Sequence, residues 1–510
     1  MTHPAADDRR PRPWSGAWAG IVAGLLTVGV GTLLGGILGR MGLSGGQPAP
    51  VAAVGSAFID LTPAWLKDLA IALFGTNDKR ALLIGTVIVL AAVCALLGVL
   101  GRHRMAWALA LFALVGAVGL AAVLTRPGAG PLDAVSTLAG TAMGLWFLSS
   151  TAASPQAPPG PARRLLLGGA VGGAAAYAGT LLGGASSNAA ESRRAAARAA
   201  LEVDRLTVPA AAQVAVDGVA PYVVPNDLFY RIDTALVVPR LDAGEWRLRV
   251  TGMVEREVEI DWATLQSKPM KEALVTLACV SNEVGGDLVG NAVWTGWPVR
   301  ELLALAGPGA GADMVLQTST DGWTCGTPLT ALTDDRDALL AIRMNGEPLP
   351  FEHGFPVRLV VPGLYGYVSA TKWVTGLKVT TFAQDQGYWT PRGWSAEGPI
   401  KTASRIDVPR VGASLRAGRV AVAGVAWAQH RGIRKVEVQV DDGPWQEARL
   451  AAEPSIDAWR QWVLEWDATP GSHTIRVRAT DGAGEVQTPL EAPPAPDGAT
   501  GWHTVTVRVS

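Results

Sequence analysis

Apolar residues are spread unevenly along this chain. Up to about residue 190 they form long runs almost free of charge, and beyond it they alternate with polar residues over short stretches. Five runs, at 17–39, 81–101, 105–125, 134–153 and 165–186, carry few or no charged side chains. Each has the roughly 20 residues that a helix needs to cross a hydrocarbon layer, where every backbone polar group must be satisfied inside the segment. Five transmembrane helices are therefore expected. A further stretch, 51–75, contains Asp60, Pro63, Lys67 and Asp68. A charge at the centre of a membrane helix costs roughly 2.5–3.5 kcal/mol on insertion scales, so this stretch reads as a surface or re-entrant segment. Five crossings put the two ends of the region on opposite sides of the bilayer. Arg9, Arg10 and Arg12 favour a cytoplasmic start, which leaves everything after Ser186 outside. In that arrangement Arg102, Arg104, Arg163 and Arg164 fall inside, but Arg40, Lys67, Lys79, Arg80 and Arg126 fall outside. A six-span arrangement satisfies the charge count about as well, with the charges of 51–75 buried.

Beyond the last run, residues 185–204 have helix-forming composition and read as a helical stalk. EWRLRVTGMVEREVEI at 245–260 alternates with period two and turns at Gly252, the pattern of a hairpin, and PVRELLALAG at 298–307 reads as one helix stopped by glycine. From about residue 404, short alternating strands are separated by DDG, TPG and DGAG turns. That spacing predicts an antiparallel β-sandwich of immunoglobulin type. The expected organisation is a membrane region over 1–190, a stalk over 191–207, an α+β domain over 208–403 and an immunoglobulin-like β-sandwich over 404–510.

Composition changes this picture little. A chain of 510 residues exceeds what one core usually organises, and its formal net charge of -1 averages a greasy half and a polar half. No basic stripe points to nucleic acid. Of the three cysteines, Cys94 falls in a predicted span; Cys279 and Cys325 could pair outside the cell or stay free. CxxCH, the signature of covalent haem, is absent, and the middle of the membrane half holds only His103, so its spans cannot build a bis-histidine haem. Electrons would have to be exchanged with a separate partner. ARRLLLGGAVGG at 162–173 places Arg163 and Arg164 directly before an apolar run, which fits either a twin-arginine export signal or ordinary positive-inside flanking. A second arginine pair, Arg9 and Arg10, lies among prolines and fits such a signal less well.

The candidate chemistry centres on Cys279, a lone thiol at the end of an apolar strand in VTLACVSNEVGG. WTGWPVRELL follows at 294–303, and NGEPLPFEHGFPVRLVVPGLYGYVSATKWV at 345–374. This order resembles the sulfite oxidase family of molybdopterin enzymes, over about residues 222–510. The resemblance implies a molybdenum–molybdopterin cofactor with Cys279 as the protein ligand of the metal. One soft ligand suffices there, because the pterin dithiolene supplies the other sulfurs. It further implies that His353 and Arg358 hold the pterin and that Ser369 and Lys372 hold its phosphate. PNDLFYRIDT at 225–234 resembles the segment that opens the family's cofactor pocket, which carries across Asn226, Phe229, Tyr230 and Arg231. The candidates nearest the reaction are Cys279, Arg231 and Trp323, the last in DGWTCGTP where the family places a tyrosine.

Taken singly, each of these has a plain structural reading: a buried inert thiol, a loop histidine, an outward arginine of a strand, a snorkelling lysine, an aromatic core pair. Their joint order is what separates the two readings. Glu283 and Val284 stand where the family has arginine after the ligand cysteine, so sulfite should bind poorly. Arg392 is either a replacement cation or a surface residue. The C-terminal sandwich resembles the family's dimerisation domain and implies a homodimer, with Trp427, Trp445, Trp459, Trp462 and Trp466 in its core and interface. The expectation is a multi-pass, bilayer-anchored oxidoreductase with its catalytic domain outside, moving an oxygen atom to or from a small substrate. The alternative is a non-catalytic surface binding or adhesion protein on the same scaffold.

Overall fold

The computed structural model describes residues 14–41, 43–44, 49–63, 66, 73, 78–152, 161–196 and 203–510. Two compact units emerge, one of Met1–Glu191 with Thr234–Val238, the other of Ser192–Asp233 with Pro239–Ser510.

The first unit contains α1 (Trp14–Arg40), α2 (Pro50–Leu61), α3 (Asp78–Gly101), α4 (Met105–Leu124), α5 (Asp133–Ala152) and α6 (Pro161–Ala196). Among the described residues four stretches, not five, are long and apolar enough to cross a membrane: Gly16–Arg40, Lys79–Gly101, Met105–Leu124 and Arg164–Leu182. The expected span at 134–153 does form a helix, α5, but its composition is less apolar. Asp133, Ser136 and Thr137 are buried inside the bundle, where the Asp133 carboxylate accepts from the Gly130 amide at 2.8 Å. Its glycines let α1 approach closely, since a Cβ at Gly140 would run into the Thr27 carbonyl and one at Gly144 into the Thr27 hydroxyl. In the 51–75 stretch, α2 has 12 residues and so rises only about 18 Å, too short to span. Asp60 there pairs with Arg126 at 2.9 Å; Lys67 and Asp68 lie outside the described residues, as do Arg9, Arg10 and Arg12. The stalk reading is helical through Ala196.

The second unit is built on four sheets. In the first, β4 (Met270–Ala278) and β5 (Val289–Pro298) run antiparallel at the centre, with β1 (Val203–Asp204) beside β4 and β8 (Leu339–Met344) then β10 (Arg358–Val360) beyond β5; β9 (Glu347–Pro348) pairs with β8. The second has the order β3 (Val258–Asp261), β2 (Arg247–Gly252), β11 (Val374–Thr380), β6 (Met314–Ser319), β7 (Thr324–Pro328). The β2–β3 pairing is the expected hairpin. Between these sheets Trp246, Leu248, Trp297, Leu340, Leu359 and Leu377 share one core with the helix Val299–Ala306. That helix buries Val299, Leu302, Leu303 and Ala306, the i, i+3, i+4, i+7 stripe, and ends at Gly307 with φ 68°.

The remaining two sheets follow in sequence. One runs β12 (Ala403–Val408), β14 (Gly418–Trp427), β18 (Arg460–Ala468), β17 (Arg449–Leu450); the other runs β13 (Ser414–Leu415), β20 (Thr504–Val509), β19 (Gly471–Asp481), β15 (Ile433–Val440), β16 (Gln446–Glu447). Inward positions of both, including Ile406, Val422, Trp462, Val436, Ile475 and Val507, form a single core. Outward positions alternate with them, as in β20. Trp427, Trp459, Trp462 and Trp466 are buried, whereas Trp445 meets Trp502 edge-on at 4.9 Å beneath the Arg478 guanidinium.

Candidate functional site

Cys279 begins the loop that leaves β4. Its amide donates to the Leu288 carbonyl at 2.9 Å, its carbonyl accepts from Asn282 at 3.1 Å, and the Asn282 side chain accepts from the Leu288 amide at 2.8 Å, so the loop is closed on itself. The thiol is 9% exposed. Burial pushes its pKa up, opposed by hydrogen bonds from Ser281 and by the charge of Lys372. All three cysteines are free, which closes the question of a Cys279–Cys325 disulfide. Cys325 is buried with its sulfur 3.3 Å from the Thr371 hydroxyl, and burial pushes its thiol up to about 12.

On one side of Cys279, cations gather in a dry setting. Arg358, at the start of β10, is only 4% exposed, against its plain reading as an outward strand residue. Its guanidinium lies over the Trp294 ring at 5.0 Å and donates to the carbonyls of His353 at 3.1 Å and Leu359 at 3.3 Å. Among the described residues no carboxylate pairs with it, and burial draws its pKa down to about 10. Lys372 donates to Asp233 at 3.1 Å and to the Glu352 carbonyl at 2.8 Å. Burial pulls its pKa down to about 8, aided by Arg358 and Arg231 and opposed by Asp233. Arg231 reaches the same Asp233 oxygen at 3.1 Å. Two cations thus share one carboxylate, and a third has none.

His353 sits among them, 4% exposed. Its Nε2 lies 3.0 Å from the Asn226 carbonyl, which assigns the proton to Nε2 and leaves the buried Nδ1 an acceptor without a partner. Burial first, then the charges of Lys372, Arg358 and Arg231, push its pKa down to about 3. The following glycine is required. Gly354 has φ 112°, and a Cβ there would stand 3.2 Å from the Lys372 Cα.

The 225–234 segment closes this chamber. Asn226 holds His353 through its carbonyl, accepts from the Asn345 side chain at 2.8 Å and donates to the Met344 carbonyl at 3.3 Å. Phe229 stacks on Tyr230 at 5.2 Å and meets Trp294 and His353 edge-on at 5.8 and 5.6 Å. Burial raises the Tyr230 phenol strongly; the Cys279 sulfur adds to this and Arg358 opposes it, so the three lie within electrostatic reach of one another. Trp323 is half-buried at the turn between β6 and β7, which is tied to Trp373 by a 3.0 Å bond from the Thr320 amide to the Trp373 carbonyl. Ser369 is fully buried with its hydroxyl spent on the Tyr365 carbonyl at 2.9 Å. Arg392 is held by its own segment, donating to the Tyr388 carbonyl at 2.5 Å with its guanidinium 3.7 Å over the Tyr388 ring. Sequence reasoning missed Asp233, Trp294 and Asn345. Asp233 had a signal, an acid two residues from a candidate arginine; the other two had none until the strands were paired.

The other side of Cys279 faces the C-terminal sheets. Arg405 donates to the Gly286 carbonyl at 2.8 Å while pairing with Asp407 at 2.6 Å, and the His503 ring fills the space beside Gly285, whose φ is 79°. Glu283 and Val284 are exposed on this loop.

Residues 235–389 match the family described as oxidoreductase molybdopterin binding domain. Human mitochondrial sulfite oxidase is 30% identical over 341 residues, covering 57% of this chain and 62% of that protein. The chain therefore spans about three fifths of the length of that relative. The uncharacterized oxidoreductase YuiH of Bacillus subtilis is 33% identical over 157 residues, 31% of this chain and 76% of that protein. Among solved structures, the sulfane dehydrogenase SoxCD from Paracoccus pantotrophus aligns with a TM-score of 0.49 and 24% identity, over 60% of this chain and 87% of that one.

Proposed function

The chain belongs to the sulfite oxidase family of molybdopterin-dependent oxidoreductases, and we propose that it is a membrane-anchored member that moves an oxygen atom to or from a small substrate and exchanges electrons with a separate partner. Its cofactor is molybdenum–molybdopterin, which when bound supplies a metal able to take up two electrons together and release them singly. The observation that carries the reading is the chamber beside Cys279: buried Arg358 without a carboxylate, Lys372 and the more exposed Arg231 sharing Asp233, and buried His353 with an unpartnered Nδ1. A pterin fits such a chamber, because its phosphate answers the cations and its ring N–H groups answer a lone imidazole acceptor.

Each residue then has a role. Cys279 ligates the metal as thiolate, and the closed loop behind it fixes the direction of its sulfur. Lys372, oriented by Asp233, and Arg358 hold the anionic end of the cofactor. Neutral His353, Asn226, Phe229 and Tyr230 position the pterin and keep water out, with Ser369 supporting the segment that carries Lys372. Arg231 and Trp323 are the candidates for contact with the substrate.

We assign residues 1–190 to the membrane, 191–207 to the stalk, 208–403 to catalysis and 404–510 to an immunoglobulin-like dimerisation domain. The 20 residues of α5 are long enough to cross as a fifth span, with Asp133, Ser136 and Thr137 buried in the bundle rather than exposed to lipid. Five crossings leave the catalytic region on the side opposite the N-terminus, outside the cell. Protease added to intact cells should then remove the catalytic region, and digestion only after lysis would defeat that orientation.

Analysis of purified protein should find about one molybdenum and one pterin per chain. Cys279→Ser should abolish turnover while pterin stays bound. Metal-free, pterin-free protein purified from cells competent in cofactor synthesis would instead favour a binding or adhesion role.

A further inference from the structure

Lys372 rises from a stretch of chain that belongs to no strand. β10 ends at Val360 and β11 begins at Val374, yet Ser369 and Thr371 between them are fully buried. Buried peptide groups need partners. Some are local: the Ser369 and Ala370 amides donate to the Gly366 carbonyl at 3.3 and 3.0 Å, and the Leu359 amide donates to the Thr371 carbonyl at 2.9 Å. The Ser369 carbonyl and the Thr371 amide are met instead by one side chain of β6. Gln317, itself fully buried, donates through Nε2 to the Ser369 carbonyl at 3.2 Å and to the Thr327 hydroxyl at 2.6 Å, and its Oε1 accepts from the Thr371 amide at 3.4 Å. A reversed amide would set oxygen against oxygen at Ser369 and N–H against N–H at Thr371, so the network admits one orientation. Thr327, on β7, in turn donates to the Val368 carbonyl at 2.6 Å.

The other side of Lys372 is fixed as well. Trp373 has φ 51°, a backbone that bulky residues rarely adopt and that persists only where the surroundings dictate it. Its indole donates to the Phe351 carbonyl at 2.8 Å, and its own carbonyl accepts from the Thr320 amide at 3.0 Å. A lysine is a point charge on a flexible stem, so where its ammonium can reach depends on where its backbone is held. Gln317 before it and Trp373 after it set that place, and the ammonium reaches Asp233 and the Glu352 carbonyl from there. We infer that Gln317 is a positioning residue for the cofactor: its amide is committed to Ser369, Thr371 and Thr327, and it acts by fixing the backbone from which Lys372 holds the anionic end of the pterin. The inference rests on Lys372 being a cofactor-holding residue and adds what holds Lys372.

Pterin release from the purified, cofactor-loaded, full-length protein in detergent, followed by fluorescence of the filtrate below the unfolding transition, measures the effect. Gln317→Met keeps the side chain's length and removes its hydrogen bonds, so release should quicken about 10-fold. Leu302→Ala, in the core that β6 enters through Val315, should lower the melting temperature at least as far while leaving release within about 2-fold of wild type. Combination with Lys372→Met separates positioning from packing. Lys372→Met alone should quicken release about 30-fold, and on that background Gln317→Met should add less than about 2-fold, because the ammonium it positions is gone. Thr327→Val keeps the shape and removes one link, so it should give a smaller rise in the same direction, and it carries the same combination if Gln317→Met does not load cofactor. A full effect of Gln317→Met on the Lys372→Met background, or release unchanged by both Gln317→Met and Thr327→Val, overturns the positioning role and leaves Lys372 as a cofactor ligand. Release unchanged by Lys372→Met would break the reading of Lys372 itself.

Discussion

The two sides of Cys279 are opposites. Toward β10 and the Lys372 segment the walls are dry and cationic, with Arg358, Lys372 and a neutral His353 deprived of water. Toward the C-terminal sheets the loop is open, with Glu283 and Val284 exposed and Arg405 already paired with Asp407. The contrast teaches on which side of this sulfur a tightly held anionic cofactor can be accommodated. Buried charge is costly unless a bound partner compensates it, so a chamber that keeps Arg358 without a carboxylate suits a permanent anionic guest.

The comparison breaks most visibly at Asp233. Asp233→Asn leaves Lys372 and Arg231 without their carboxylate and should destabilise the cofactor-free protein by about 3 kcal/mol, whereas Glu283→Gln on the exposed side should stay within about 0.5 kcal/mol. Thermal unfolding in detergent measures both, and equal shifts would erase the distinction. Arg358→Met should act in opposite senses on the two forms. Pterin content should fall roughly 30-fold through loss of a charge-assisted contact, while the cofactor-free protein should melt no lower than wild type, having lost an uncompensated buried charge.

The histidine sharpens the contrast through pH. His353 is held neutral down to about pH 3 in the folded cofactor-free protein, whereas an unfolded histidine titrates near 6.5, so between these values the unfolded chain binds more protons. Its contribution to stability is fully present above about pH 6.5 and is lost as pH falls through that window, by about 2 kcal/mol at pH 5. His353→Gln should flatten this part of the stability profile; an unchanged slope would place the titrating group elsewhere. The smallest effect belongs to Arg405→Gln, which removes the donor to the Gly286 carbonyl and should cost about 1 kcal/mol of stability with pterin content unchanged.

Much of this was legible before any coordinates. The hairpin at 245–260, the helix ended by Gly307 and the alternating C-terminal strands follow from period-two and period-3.6 patterns, which are local properties of the chain. The membrane region was legible as helices in all five expected places, and α5 differs from the other four in composition because it buries Asp133, Ser136 and Thr137 inside the bundle. Ser369 was legible as a neighbour of Lys372 and not as a hydroxyl already spent on Tyr365, since that bond depends on how a short turn closes.

The sequence by itself singled out the candidate residues, because a lone cysteine after an apolar strand and the HGFPVR and TKW runs are read without knowing where they lie. Tertiary structure alone decided their states. Arg358 is a buried cation rather than an outward strand residue, His353 is neutral with a free acceptor, and Glu283 lines a pocket with Thr402, Ser404 and Trp427, more than one hundred positions away. Burial and long-range charge set those states, and both arise only when segments distant in the chain pack against one another.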